Sequence, residues 1–149
     1  MDKATFGAGC FWGVQKEFDK IKGVISTTVG YMGGTTKNPS YEDVCTNKTG
    51  HVEVLDLIFD PEIISFEKLI EIFFNIHNPT TKDRQGPDIG TQYKSIIFYH
   101  NDKQKKTAED FIKKLDKSGK YKRKIVTEIK PADVFYKAEE YHQKYFEKK

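Results

Sequence analysis

Apolar residues recur with two spacings along the chain, and each spacing predicts a different kind of element. Alternating or short unbroken apolar runs predict strands at 3–8, 24–31, 52–60, 95–99 and 125–129. Spacings of three and four residues predict helices at 14–21, 66–74, 108–115 and 138–146. Ser65 is expected to cap the start of the second helix, and Gly119 is expected to end the third.

Strands and helices intermingle along the whole length, without an internal repeat or a linker. Such a mixture packs most simply as helices on a small mixed sheet, in two layers around one core. The sequence therefore predicts an α+β fold with a single domain over residues 1–149. The segments 32–50 and 78–92 exceed the usual connection of about 4 to 6 residues. Long loops in compact domains often carry function, so we expect the site there.

Composition excludes several classes of protein. A membrane-spanning helix needs about 20 consecutive apolar residues, and the apolar runs here are only a few residues long. Two cysteines cannot hold together a disulfide-rich secreted scaffold, and no charged start followed by an apolar run indicates a signal peptide. We therefore expect a cytoplasmic protein with free thiols, no membrane contact and a monomeric state.

Basic side chains are concentrated near the end of the chain. Residues 101–149 carry 15 basic and 9 acidic side chains, whereas residues 1–100 carry 10 and 13. A lysine-rich segment could bind phosphate backbones, which leaves a nucleic-acid-binding module as one alternative. Because these charges alternate with Asp and Glu at helical spacing, we interpret the segment as a solvated helix face and expect no nucleic-acid partner.

Cys10 lies at a predicted strand-to-helix turn. The unsatisfied N–H groups of a helix N-terminus favour a thiolate, which is the nucleophilic form of cysteine. Gly9 and Gly13 permit a tight turn, and Phe11 and Trp12 place aromatic rings beside the sulfur. The pattern predicts a reactive thiol in an apolar pocket. A buried structural cysteine among core aromatics is the alternative on spacing alone.

Two other chemistries are possible for the cysteines. A zinc site needs paired ligand spacings, and Cys45 with His51 forms no such pair, so we expect no metal and no cofactor. A Cys–His thiol hydrolase or acyltransferase would use Cys10 with His51 or His142 as the base. That alternative predicts an acyl-enzyme and no consumption of reducing equivalents.

Six blocks of sequence carry a family resemblance. They are GCFWG at 9–13, GYMGG at 30–34, NPSYEDVC at 38–45, TGHVE at 49–53, DRQGPDIGTQY at 83–93 and AEEYHQ at 138–143. In kind and in order these blocks resemble the peptide methionine sulfoxide reductase A family. The resemblance implies a ferredoxin-like α/β plait. It also implies thiol-dependent reduction of methionine-S-sulfoxide, in proteins, in peptides or free, through a cysteine sulfenic acid.

The resemblance also implies catalytic roles. Cys10 would be the nucleophile and Glu53 the acid that protonates the sulfoxide oxygen, while the hydroxyls of Tyr41 and Tyr93 would donate hydrogen bonds to that oxygen. Asp88 would lie on the polar side of the site. An acid that works near neutral pH needs a raised pKa, and the Val- and Leu-rich run around Glu53 is compatible with one. Pattern alone would instead make Glu53 an exposed strand carboxylate.

Substrate contacts follow from the same resemblance. Phe11 and Trp12 would hold the S-methyl group, so that the pocket is apolar on one side and rich in hydrogen-bond donors on the other. Fixed positions for methyl, oxygen and nucleophile accept one sulfoxide epimer, and the resemblance implies the S form. His51 lies in a matching block and is assigned to substrate binding, and His142 to an orienting or structural role.

Turnover requires a second thiol, because a sulfenic acid condenses with one. Many family members carry resolving cysteines in a C-terminal tail, and this chain ends at Lys149 without one. Cys45 is a candidate resolving residue if its Cα lies within about 7 Å of that of Cys10. We predict instead an external reductant, either thioredoxin, glutaredoxin with glutathione, or a small dithiol.

Overall fold

Strands and helices occupy most of the positions that the hydrophobic spacing predicts. A computed structural model of the chain describes residues 1–148. Its strands are β1 (Asp2–Ala8), β2 (Val24–Met32), β3 (Val52–Phe59), β4 (Arg84–Gln85), β5 (Asp88–Ile89), β6 (Ser95–Tyr99), β7 (Glu128–Pro131) and β8 (Tyr136–Lys137). Its α-helices are α1 (Phe11–Asp19), α2 (Tyr41–Cys45), α3 (Phe66–Asn75) and α4 (Asp102–Ser118). Further 3₁₀ turns cover Thr91–Tyr93, Glu140–His142 and Tyr145–Glu147.

A mostly antiparallel sheet forms the centre of the molecule. Its strand order is β7-β6-β1-β3-β2-β8, in which the β6–β7 pair is parallel and the other pairs are antiparallel. The short strands β4 and β5 form a separate hairpin within the loop 78–92. This mixed α/β architecture confirms the coarse fold class.

The helices cover one face of the sheet. On β3, Leu55 and Leu57 are buried in the same cluster as Leu69 and Phe73 of α3. Burying a side chain of this kind stabilises the fold by roughly 1.5–3 kcal/mol. Because side chains alternate along a strand, Glu53 points to the same face as these leucines. The alternation of side chains along β3 therefore places the Glu53 carboxyl group on the face of the sheet that the helices cover.

Two helix ends confirm local sequence signals. The Ser65 side chain accepts a hydrogen bond from the N–H of Lys68 at the start of α3. Gly119 follows α4 in a left-handed conformation with φ of 76°. No helix within residues 1–148 is both long enough and apolar enough to cross a bilayer.

The predicted helix at 138–146 is wrong, because two 3₁₀ turns occupy this segment instead. The Gln143 side chain bonds to both the N–H and the carbonyl of Val29, which pulls the chain onto the sheet edge. Lys144 then adopts a left-handed φ of 54°, which no α-helix permits. The last strand also begins at Glu128 rather than at 125, and it includes Pro131, which an edge strand such as β7 tolerates.

Candidate active site

Cys10 occupies the N-cap of α1, where β1 turns into the helix. Gly9 before it has a φ of 88°, which side chains rarely adopt. A Cβ at Gly9 would also lie 2.8 Å from Cβ and Cγ of Gln85. Glycine is therefore needed at this position both for the turn and for the close approach of the β4–β5 hairpin. The predicted position of Cys10 at a helix N-terminus is confirmed.

The electrostatic setting of the Cys10 thiol contains opposing contributions. Burial raises its pKa most, and the negative charges of Glu53 and Asp88 raise it further. The nearby N–H groups of Trp12 and Gly13 lower it, but the balance leaves a pKa of about 11. The helix N-terminus alone thus does not produce a stable thiolate, contrary to the expectation from sequence. The thiol keeps its proton at neutral pH.

Glu53 is 1% exposed and lies directly behind the start of α1. Its Oε1 accepts a hydrogen bond from the N–H of Phe11 at 3.2 Å, while its Oε2 is buried without a partner among residues 1–148. Burial raises the pKa of Glu53 to about 8, against the opposing effect of the Phe11 N–H, and the charge of Asp88 adds to the rise. The prediction from pattern alone, that Glu53 is an exposed carboxylate, is wrong. With this pKa the carboxyl group is mostly protonated at neutral pH.

Two tyrosine hydroxyls lie close to this carboxyl group. Tyr41 begins α2, and Tyr93 ends the 3₁₀ turn after β5. The Tyr41 hydroxyl lies near the Cys45 thiol and the Tyr93 hydroxyl, and each of these groups affects its pKa. Burial raises the pKa of Tyr41, and burial together with the charge of Glu53 raises the pKa of Tyr93 to about 12. Both hydroxyls therefore remain hydrogen-bond donors across the physiological pH range.

An aromatic wall completes the site on the other side. The Trp12 indole donates to Nδ1 of His142 at 2.9 Å, and its ring stacks on Tyr145 with centroids 3.7 Å apart. Because an indole can only donate, Nδ1 of His142 must be unprotonated, so a neutral ring carries its proton on Nε2. Burial also lowers the pKa of His142. Phe11 packs beneath, with its ring centroid 5.2 Å from that of His142.

His51 lies in the loop that precedes β3, where it binds backbone groups with both ring nitrogens. Nδ1 accepts from the N–H of Gly34 at 3.0 Å, and Nε2 lies 2.7 Å from the carbonyl oxygen of Thr36. The ring is 2% exposed. Neither nitrogen is free for a substrate, which favours an orienting role for His51 over the predicted substrate contact.

The structure groups the remaining candidates around Cys10. The charges of Glu53 and Asp88 act on the Cys10 thiol, and Glu53 also acts on Tyr41 and Tyr93. Sequence reasoning missed the contributions of three further residues: Gln85, Glu139 and Tyr145. Within the described part of the chain, no group of three or more His, Cys, Asp or Glu side chains is arranged to hold a metal ion.

Comparison with known proteins decides the family. Residues 2–149 match the family model described as peptide methionine sulfoxide reductase. The chain belongs to the peptide methionine sulfoxide reductase family. It is 56% identical over 147 residues to peptide methionine sulfoxide reductase MsrA of Methanothermobacter thermautotrophicus, an alignment that covers 99% of this chain and 87% of the relative. The MsrA of Methanosarcina mazei is 58% identical, with 100% of this chain and 71% of the relative covered.

Solved structures agree with this assignment. Reduced Mxr1 from Saccharomyces cerevisiae superposes with a TM-score of 0.86 and 38% identity, covering 99% of this chain and 84% of Mxr1. A crystal structure of Mxr1 in complex with Trx2 matches with a TM-score of 0.62 and 26% identity over 97% of this chain and 84% of that one. As a peptide methionine sulfoxide reductase, the chain reduces methionine sulfoxide and acts as a peptide-methionine (S)-S-oxide reductase.

The high pKa of the Cys10 thiol gives a direct test in the free enzyme. Iodoacetamide attacks thiolates only, so the rate of Cys10 alkylation should rise about tenfold for each pH unit between 7 and 10. Glu53→Gln removes the negative charge that Glu53 carries above its pKa of about 8, so it should lower the thiol pKa and accelerate alkylation at pH 9 to 10. Both are measured in the Cys45→Ser background, where Cys10 is the remaining cysteine. A plateau below pH 8, or no effect of Glu53→Gln, would contradict this electrostatic account.

Proposed function

We propose that Cys10 Sγ attacks the sulfur atom of methionine-(S)-sulfoxide. The observation that carries this proposal is a half-buried thiol beside a buried, protonated carboxyl group with one oxygen free. As the S–O bond of the substrate breaks, the oxygen moves to Sγ and the transient Sγ–S bond also breaks, which leaves Cys10 as a sulfenic acid and releases methionine. The substrate sulfur gains two electrons and the Cys10 sulfur loses two.

Glu53 acts as the general acid in this proposal. An oxide is a poor leaving group, so the sulfoxide oxygen must be protonated as the S–O bond breaks. Glu53 gives its proton to the oxygen and recovers one from the Cys10 thiol, so no net proton is consumed. The hydroxyls of Tyr41 and Tyr93 donate hydrogen bonds to the same oxygen. Asp88 lies on this polar side and keeps Glu53 protonated by raising its pKa.

Phe11 and Trp12 form the apolar side of the proposed pocket, against which the S-methyl group packs. Stacking on Tyr145 and the hydrogen bond to His142 hold the Trp12 ring in one orientation. With the methyl group, oxygen and nucleophile each in a fixed position, the mirror-image sulfoxide would point its oxygen at the aromatic wall. We propose oxidised proteins, peptides and free methionine sulfoxide as substrates.

A Cys–His hydrolase is not supported by the geometry. His51 uses both ring nitrogens on loop backbone. Nδ1 of His142 accepts from Trp12, and its Nε2 carries the proton and is buried without a partner in the described residues. Neither histidine offers an unprotonated nitrogen to the Cys10 thiol, which a general base must do.

An external thiol restores Cys10 in this proposal. The thiol condenses with the sulfenic acid, releasing water and forming a mixed disulfide, which a second thiol then reduces. The complex of yeast Mxr1 with Trx2 supports thioredoxin as the reductant, and glutaredoxin with glutathione supplies the same chemistry. Burial and the charges of Glu53 and Glu42 raise the pKa of Cys45 against the opposing effect of Tyr41, so the surroundings of Cys45 do not favour its thiolate.

Mass spectrometry after one equivalent of methionine sulfoxide tests both steps. Dimedone should trap a sulfenic acid on Cys10 and leave Cys45 a free thiol. Cys45→Ser should accordingly retain most of its turnover with a dithiol reductant. A quantitative Cys10–Cys45 disulfide would overturn the external reductant, and absence of any Cys10 oxidation would overturn the mechanism itself.

We also propose that the chain is a single catalytic domain with a ferredoxin-like α/β plait. The strand order β6-β1-β3-β2, with α1 after β1 and α3 after β3, supports this topology. Free cysteines are typical of reducing compartments and support a place in the cytoplasm. We propose that the protein is a monomer.

A further inference from the structure

We propose that Glu139 is a positioning residue that fixes Tyr41 relative to Glu53. This inference rests on the proposed function, because it concerns where the Tyr41 hydroxyl lies when the sulfoxide oxygen is protonated. Glu139 precedes the 3₁₀ turn that carries His142 and belongs to none of the groups that would touch the substrate.

The Glu139 carboxylate bridges two tyrosines on different elements. Its Oε1 accepts a hydrogen bond from the Tyr31 hydroxyl at 3.0 Å, and its Oε2 accepts one from the Tyr41 N–H at 3.0 Å. Tyr41 is the first residue of α2 and follows an irregular stretch after β2. The bond from Glu139 therefore holds the backbone at the point where the Tyr41 side chain leaves it.

Tyr31 supplies a rigid reference point. It is 0% exposed, and it lies directly opposite Glu53 in the pairing of β2 with β3. Glu139 thus joins Tyr41 to the strand position that faces the proposed acid. This bridge fixes the position of Tyr41 relative to the strand pair that carries Glu53. Within the described residues, the Tyr41 and Glu53 side chains do not hydrogen-bond to each other directly.

The carboxylate form of Glu139 suits both bonds. Burial opposes its ionisation, but the Tyr41 N–H and the Tyr31 hydroxyl outweigh this effect and lower its pKa below the ordinary value. At neutral pH each oxygen is therefore an acceptor. Hydrogen bonds to a charged acceptor are about twice as strong as those between neutral groups.

Glu139→Ala should slow oxidation of Cys10 in a single turnover by about 10- to 100-fold, because a displacement of about 1 Å at a reacting centre can cost about 100-fold in rate. The effect should fall on kcat more than on KM. Glu139→Gln should restore the rate to within a few-fold, since its amide oxygen can accept from Tyr41 and its amide nitrogen can donate to the Tyr31 oxygen. Glu140→Ala is the matched control, because the Glu140 side chain is 78% exposed.

A double-mutant cycle separates positioning from general stability. Tyr41→Phe removes the hydroxyl but keeps the N–H that Glu139 binds. Glu139→Ala should therefore cause no further loss in the rate of Cys10 oxidation in that background. In the Tyr93→Phe background, Tyr41 supplies the remaining tyrosine hydroxyl for the sulfoxide oxygen. There, Glu139→Ala should lower the single-turnover rate of Cys10 oxidation at least as much as in the unmodified protein. An equal loss in the Tyr41→Phe background, or no loss in the unmodified protein, would overturn the positioning role. Failure of the unmodified protein to oxidise Cys10 would instead overturn the proposed function.

Discussion

Replacing Cys10 with serine is expected to reduce the formation of methionine to the uncatalysed level. A serine hydroxyl cannot accept the sulfoxide oxygen as a cysteine sulfur does, so the two-electron transfer has no route. Turnover is measured as methionine released from methionine sulfoxide with excess dithiol. The similar size of the two side chains should leave the turn at Gly9 and the start of α1 intact.

The second cysteine provides the matched control for this substitution. Cys45 is exposed at the end of α2, and Cys45→Ser should keep most of the turnover with the same dithiol. Circular dichroism and the unfolding midpoint should be alike for the two variants. Measurable catalysis by Cys10→Ser, or its loss in Cys45→Ser alone, would show that the nucleophile has been misassigned.

Glu53→Gln is expected to slow the formation of the Cys10 sulfenic acid by about 10²- to 10⁴-fold, the usual contribution of a positioned general acid. Glutamine has a similar shape and can still accept from the Phe11 N–H, but it has no proton of comparable acidity to give. Binding of substrate should change much less than the rate. A rapid-quench single turnover at neutral pH, with trapping of the sulfenic acid, measures the step directly. Equal rates in the two proteins would remove Glu53 from the role of acid.

The same substitution should also stabilise the protein at alkaline pH. Glu53 has an ordinary value of 4.5 and a pKa of about 8 in the fold, so between these values the folded state holds a proton that the unfolded chain has lost. Stability then falls as pH rises, by about 1.4 kcal/mol per unit for such a group. The advantage of Glu53→Gln in free energy of unfolding should grow by roughly 2–4 kcal/mol from pH 5 to pH 8. Urea unfolding at the two pH values measures it, and an advantage that does not change would contradict the buried, protonated carboxyl group.

Local signals in the sequence predict much of this fold. The spacing around Leu69 and Phe73 predicts a buried helix face, and Ser65 and Gly119 mark helix ends through contacts only a few residues long. Such features depend on neighbouring residues, so a single sequence contains them. The turn at Cys10 belongs to the same class.

Long-range contacts decide the features that the sequence does not predict. The segment 138–146 has helical spacing, yet Gln143 binds Val29 across the fold and the helix does not form. The bridge from Glu139 to Tyr31 and Tyr41 likewise joins residues about a hundred positions apart. The thiol pKa of Cys10 depends on burial and on Glu53, neither of which the helix N-terminus reveals. For the candidate site, the resemblance of the six sequence blocks to the family identifies the residues. Their hydrogen bonds, their burial and the direction of their pKa shifts depend on the folded structure.

Chiral analysis of one reaction shows whether the pocket distinguishes the two epimers of the sulfoxide. The protein is incubated with racemic methionine sulfoxide and excess dithiol, and both epimers are followed to completion beside a Cys10→Ser control. We expect the S epimer to be consumed fully, an equal amount of methionine to appear and the R epimer to remain. Consumption of both epimers at similar rates, or of the R epimer alone, would contradict a pocket that fixes the methyl group, the oxygen and Cys10 in one arrangement.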